Sequence, residues 1–136
     1  MKICPHIGTL ASGGRHLLRF SFYQASATAT EVIFPAHVDF GLLTAYIGGS
    51  APGLQGAING HFVDIDNPPG SIILGAGTTL RMYDPQITPF RHQVVGGQTE
   101  RLSVVFFSEP RSEVVLPNGL MAGEHLRGIV ASIRKE

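Results

Sequence analysis

Short runs of β-forming residues, cut every few positions by glycine, proline or asparagine, leave this chain few folds to choose from. The clearest cut is Asn59-Gly60, between the runs 54–58 and 61–65. Both central positions of a two-residue hairpin turn need positive φ, which Asn and Gly supply. Gly48-Gly49-Ser50-Ala51-Pro52-Gly53 reads as a loop and Asn67-Pro68-Pro69-Gly70 as another turn. Between these breaks, strands are expected over 17–23, 31–34 (ended or bent by Pro35), 37–44, 71–76 and 78–83. A Pro-containing connection over 84–91 leads to a last hairpin, 92–95 and 101–107, closed around Gly96-Gly97. Residues 1–16 are weakly patterned. Over 121–135, Leu126, Ile129, Val130 and Ile133 fall at helical spacing, which predicts one amphipathic C-terminal helix. Many short strands followed by one helix make a β-sandwich or jelly roll, mostly β with a C-terminal α-helix.

The 136 residues suit one domain, residues 1–136, with a core that needs no disulfide. Apolar residues at 43% and charged residues at 15% describe a globular chain. Ten basic residues balance ten acidic ones with no segment of one sign, so no basic face for nucleic acid is expected. No apolar run approaches a membrane span, and the N-terminus does not read as a secretory signal. One cysteine, Cys4, excludes an internal disulfide and makes a cytoplasmic location the default. Cys4-Pro5-His6 has no second cysteine nearby and reads as terminal segment rather than metal site.

Six histidines are available. In an extended 37–44, alternation puts His37 and Asp39 on one face and Val38, Phe40, Leu42 and Thr44 on the other. Two imidazoles and one carboxylate on one side of an iron ion leave the opposite positions open for small ligands. His92 is the histidine in a late strand-like context that can supply the second imidazole. His6 and His16 lie in the weak N-terminus, His61 begins a hairpin strand, and His125 lies in the predicted helix. All four read as surface or partner-satisfied residues. Arg101 and Ser103, two apart on a strand, share a face, and an arginine there can hold a carboxylate by two parallel hydrogen bonds. A cupin-type metal protein is the alternative. It predicts more histidine ligands and no such arginine anchor.

The flanking residues make the pattern more specific. His37-Val38-Asp39-Phe40-Gly41-Leu42-Leu43-Thr44 with Pro52-Gly53-Leu54-Gln55, then Pro69-Gly70-Ser71-Ile72-Ile73-Leu74-Gly75-Ala76-Gly77, resemble the isopenicillin N synthase-like branch of the 2-oxoglutarate/Fe(II) dioxygenases. So do His92-Gln93-Val94-Val95 and Arg101-Leu102-Ser103, upstream Leu18-Arg19-Phe20-Ser21-Phe22-Tyr23, and Gly123-Glu124-His125-Leu126 near the end. The resemblance runs in order over about residues 17–135. It implies a double-stranded β-helix with His37, Asp39 and His92 as Fe(II) ligands. It implies Arg101 and Ser103 at the distal carboxylate of 2-oxoglutarate, with Tyr23 adding a hydrogen bond. The activity implied is oxidation, most simply hydroxylation, of a small organic substrate by O2, coupled to decarboxylation of 2-oxoglutarate to succinate.

Three positions depart from the family pattern: Ser21 for an asparagine, Thr78 for an aspartate and Gln93 for an arginine. None removes a ligand. Family members also carry an N-terminal half that backs the sheet. Without it one sheet face stays open, so a homodimer or a partner chain is expected to cover that face. The alternative to an enzyme is a truncated, inactive jelly roll serving as a metal-binding, ligand-binding or interaction module.

Overall fold

The computed structural model describes residues 6–26, 28 and 30–134. Among the described residues, eight strands and three helices follow one another as α1 (Ile7–Ala11), β1 (Leu17–Tyr23), β2 (Val32–Val38), β3 (Leu43–Gly49), β4 (Leu54–Ile58), β5 (His61–Asp64), β6 (Ile73–Ala76), α2 (Thr78–Tyr83), β7 (Arg91–Val95), β8 (Arg101–Ser108) and α3 (Ala122–Ile133). One sheet has the order β1-β8-β3-β6 and the other β2-β7-β4-β5. All neighbouring strands are antiparallel. Consecutive strands mostly change sheet, which is the double-stranded β-helix, or jelly roll. Tyr46 from β3, Leu54 from β4 and Val105 from β8 meet between the sheets, with Ile65, Ile73, Phe90 and Phe107 packed around them.

Several expectations hold and others do not. Asn59 and Gly60 take φ of 50° and 81° and close the β4–β5 hairpin. Pro35 does not end its strand. β2 runs through it, and the pairing with β7 slips on either side of Phe34, because proline cannot donate to the ladder. Residues 37–44 are not one strand. β2 stops at Val38, β3 starts at Leu43 in the other sheet, and the turn between them buries Leu42 completely. Strands β7 and β8 lie in different sheets and do not pair, so the expected last hairpin is a crossover. The residues read as a strand over 78–83 form α2. Its first amides are taken by the β2–β3 turn: Thr78 and Thr79 donate to the carbonyls of Asp39 and Phe40, at 2.9 and 3.3 Å. The short helix α1 was not anticipated either. Cys4 lies outside the described residues, as does Lys135 at the end of the expected helix.

Helix α3 begins where expected, with the Glu124 carboxylate accepting from the Met121 N–H. Leu126 and Ile129 face a small cavity beside Phe40 and Leu116, but Val130 and Ile133 stay exposed. A larger apolar area covers the outer side of the β1-β8-β3-β6 sheet. Alternation sends Arg19, Ser21 and Tyr23 inward and Leu18, Phe20 and Phe22 outward. Phe20 is 72% exposed and Leu74, on β6, 64%. Phe22 and Leu102, paired across β1 and β8, and Ile47 complete an exposed apolar face without a charged residue.

Candidate metal and cosubstrate site

His37 and His92 are directly paired on β2 and β7, with ring centroids 4.3 Å apart. Each ring is set by the same local device. Nδ1 of His37 donates to the carbonyl of Pro35 at 2.8 Å, and Nδ1 of His92 to that of Phe90 at 3.0 Å. A carbonyl can only accept, so both rings carry a proton on Nδ1, which leaves Nε2 as the atom each ring can turn to a metal. This is the usual way a second group fixes a metal-binding imidazole. Phe90 also stacks on His92, 11° from parallel at 5.2 Å. Room for Phe90 comes from Gly56 and Gly75, where a Cβ would lie 2.6 and 2.9 Å from its ring.

Asp39 reaches the two histidines by a route other than strand alternation. It sits in the turn after β2, with Oδ1 3.4 Å from His37 Nε2 and Oδ2 3.9 Å from His92 Nε2. Thr44 Oγ1 donates to Oδ2 at 2.7 Å, and the Tyr46 hydroxyl donates to it at 3.2 Å. Thr44, read as facing away from Asp39, is therefore its neighbour, because the turn brings β3 back over the carboxylate. Ligand atoms of His37, Asp39 and His92 all lie within 4.8 Å of one another, and no other such group of His, Cys, Asp or Glu occurs among the described residues.

The electrostatics suit a cation. Burial resists the charge on Asp39, but the hydrogen bonds from His37 and Thr44 overcome it and hold the carboxyl below its ordinary range. The hydrogen bond to Asp39 pulls His37 up. Burial pushes His92 down, which favours the neutral form that binds metal. Burial, then the charge of Asp39, pushes the Tyr46 hydroxyl far above its usual range, so it stays a phenol. Three compact donors, one of them an anion, fit a divalent ion.

His37 and His92 line a cavity of about 430 Å³ that also takes in Tyr23, Arg101 and Ser103. Tyr23 and Arg101 are cross-strand partners on β1 and β8, as are Ser21 and Ser103. The Arg101 guanidinium lies 5.6 Å from the Tyr23 ring centroid, and its Nε donates to the Ala51 carbonyl at 3.0 Å. Gly49 and Gly53 make way for this side chain. Burial lowers the Arg101 pKa from its usual value. All six residues singled out in the sequence thus gather around one cavity, with Asp39 joined to it through His37 and His92. Tyr46, Thr44 and Phe90 were missed. A tyrosine or threonine in a β-run looks like core until a turn lays it on a carboxylate. The other histidines stand apart: His16, for example, packs at a tilt against Phe106 and accepts from the Glu109 N–H.

A family model, the 2OG-Fe(II) oxygenase superfamily, matches residues 14–110. The chain belongs to this superfamily. Its cofactors are Fe(II), 2-oxoglutarate and O2. The chain is 28% identical over 108 residues to mugineic-acid 3-dioxygenase of Hordeum vulgare, covering 77% of this chain and 32% of that protein. Its fold matches that of a Shewanella oneidensis oxygenase structure with a TM-score of 0.76 at 24% identity, over 91% of this chain and 50% of that one. It also matches the dioxygenase for auxin oxidation 1 from Arabidopsis thaliana, solved with 2-oxoglutarate, with a TM-score of 0.71 at 19% identity over 78% and 42% of the two chains. The chain therefore spans about a third of the curated relative and half or less of these structures. No helix among the described residues is long and apolar enough to cross a membrane.

Proposed function

We propose that residues 1–136 act as the catalytic jelly-roll domain of a 2-oxoglutarate-dependent oxygenase that oxidises, most simply by hydroxylation, a small organic substrate. In this reading His37, Asp39 and His92 hold Fe(II), Arg101 and Ser103 receive the distal carboxylate of 2-oxoglutarate, and Tyr23 borders that carboxylate. The observation that carries the reading is the convergence of three donor atoms beside a cavity that also holds a half-buried arginine. Iron bound there supplies O2 activation, coupled to the decarboxylation of 2-oxoglutarate to succinate. The chain's own part is to hold the ligands, orient the cosubstrate through a charge-assisted arginine fork and keep water from the reacting face.

The test is succinate formation from 2-oxoglutarate under air with Fe(II). Wild type forms succinate. His37→Ala abolishes it, and Arg101→Ala raises the 2-oxoglutarate KM about tenfold or more, the loss of a charge-assisted hydrogen bond. Metal binding without succinate would favour the second reading, a binding module that keeps the site but not the chemistry. The exposed apolar face supports that alternative, since a catalytic core needs its sheet covered.

The same proposal includes a cover for that face. It is uncharged, so nothing on it selects a partner of complementary charge, and a second copy of the chain is the occupant we assign. Cytoplasmic location is part of the proposal too, resting on the single cysteine.

A further inference from the structure

Arg19 has no role in the site as described, although it lies on the same wall. It faces inward from β1 four residues before Tyr23, paired with Val105, and lines the cavity with Phe34, His37 and His92. Its guanidinium carbon lies 5.0 Å from the Phe107 ring centroid and 5.8 Å from that of Phe34. Its Nε is buried without a hydrogen-bond partner, and no carboxylate pairs with it among the described residues. Two aromatic faces offset part of the desolvation of a guanidinium. They leave its buried Nε without an acceptor, which is costly unless a ligand supplies one.

We propose that Arg19 anchors a carboxylate on the prime substrate, so that this substrate is a small organic anion. The inference rests on the reading of the site as an iron and 2-oxoglutarate centre, and deepens it. Two arguments separate Arg19 from the cosubstrate. Arg19 and Tyr23 stand four residues apart on one strand, about 13 Å at strand spacing. Arg101 pairs with Tyr23, so the two arginines mark opposite ends of the cavity. A short diacid held at Arg101 and reaching the histidines leaves the Arg19 end free. Charge balance agrees. Iron(II) and Arg101 bring three positive charges, and Asp39 and 2-oxoglutarate three negative ones. Asp64 and Asp66, also on the cavity wall, are exposed and screened by water. Arg19 is then the charge left to answer, and a monoanionic substrate answers it.

The test compares 3-phenylpropanoate with its neutral amide, titrated calorimetrically without O2 into protein holding Fe(II) and 2-oxoglutarate. Wild type binds the acid about tenfold or more tighter than the amide. Arg19→Met, which keeps the packing volume and drops the charge, brings the two within about twofold. Arg19→Lys retains a preference for the acid, and 2-oxoglutarate affinity in Arg19→Met stays within about twofold of wild type. An acid bound no tighter than its amide by wild type overturns the inference. So does a preference that survives in Arg19→Met, or a tenfold loss of 2-oxoglutarate affinity there, which would give Arg19 to the cosubstrate. Failure of wild type to bind Fe(II) or 2-oxoglutarate would strike the reading of the site instead. The acid and amide titrated into metal-free protein would then still decide the role of Arg19.

Discussion

The Tyr46 hydroxyl stands 3.2 Å from an Asp39 oxygen and 3.1 Å from His92 Nε2, so it links two of the three donors. Groups in this position orient ligands rather than bind metal. Tyr46→Phe is expected to weaken Fe(II) binding by about tenfold, the usual cost of losing such a support, in an anaerobic metal titration. Unchanged affinity would mean that Thr44 and the backbone carbonyls suffice. A second residue reports on pH. Burial, then the charge of Asp39, raises the Glu109 carboxyl from 4.5 to about 7. The folded metal-free chain thus holds this proton more tightly than the unfolded chain does. Stability is lost as pH rises from about 4.5 to 7, and the loss is complete above that window. Discounting for partial exposure, the loss is on the order of 2 kcal/mol. Glu109→Gln is expected to flatten that dependence and to be the more stable form at pH 8, measured by urea unfolding across pH. A variant that is no more stable than wild type at pH 8 would contradict this.

Among the elements, α2 depends most on its surroundings. It starts where the β6 end crosses the β2–β3 turn, and a Cβ on Gly77 would overlap the Gly41 carbonyl oxygen. Backbone on both sides cannot give way cheaply. Gly77→Ala is therefore expected to cost about 3 kcal/mol or more in denaturant unfolding and to weaken metal binding, because the same turn carries Asp39. This crossing also explains what was legible in the sequence. His37, His92, Arg101 and Ser103 could be found because short-range pattern fixes strand faces, and the Asn59-Gly60 turn because its φ values are local. Thr78-Thr79-Leu80-Arg81-Met82-Tyr83 has β-forming residues, and the bonds that its first amides donate to the carbonyls of residues 39 and 40 are long-range and support the helical start. Likewise nothing local separates two strands of a hairpin from two strands in opposite sheets, so the β7–β8 crossover was out of reach. Asp39 does lie beside His37 and His92, but its approach to His37 depends on a turn rather than on alternation.

At the scale of the molecule, the two faces of the β1-β8-β3-β6 sheet differ sharply. The inner face carries Arg19, Tyr23, Ser103 and Arg101 into the cavity. The outer face exposes Phe20, Phe22, Leu102 and Leu74. Contiguous apolar surface of this kind marks an interface. The chain is expected to sediment as a dimer in analytical ultracentrifugation, and Phe20→Asp to shift it to monomer while metal binding persists. A wild-type monomer at micromolar concentration would contradict the self-association. All of these effects presuppose one centre that holds metal and cosubstrate together. The most direct measurement is a crystal structure of the protein grown without O2 in Fe(II) and 2-oxoglutarate, with anomalous scattering recorded at the iron edge. The account predicts one iron peak bound by Nε2 of His37, a carboxylate oxygen of Asp39 and Nε2 of His92, with the distal carboxylate of 2-oxoglutarate on Arg101 and Ser103. An iron peak elsewhere, or a 2-oxoglutarate carboxylate that leaves Arg101 unpaired, would contradict it.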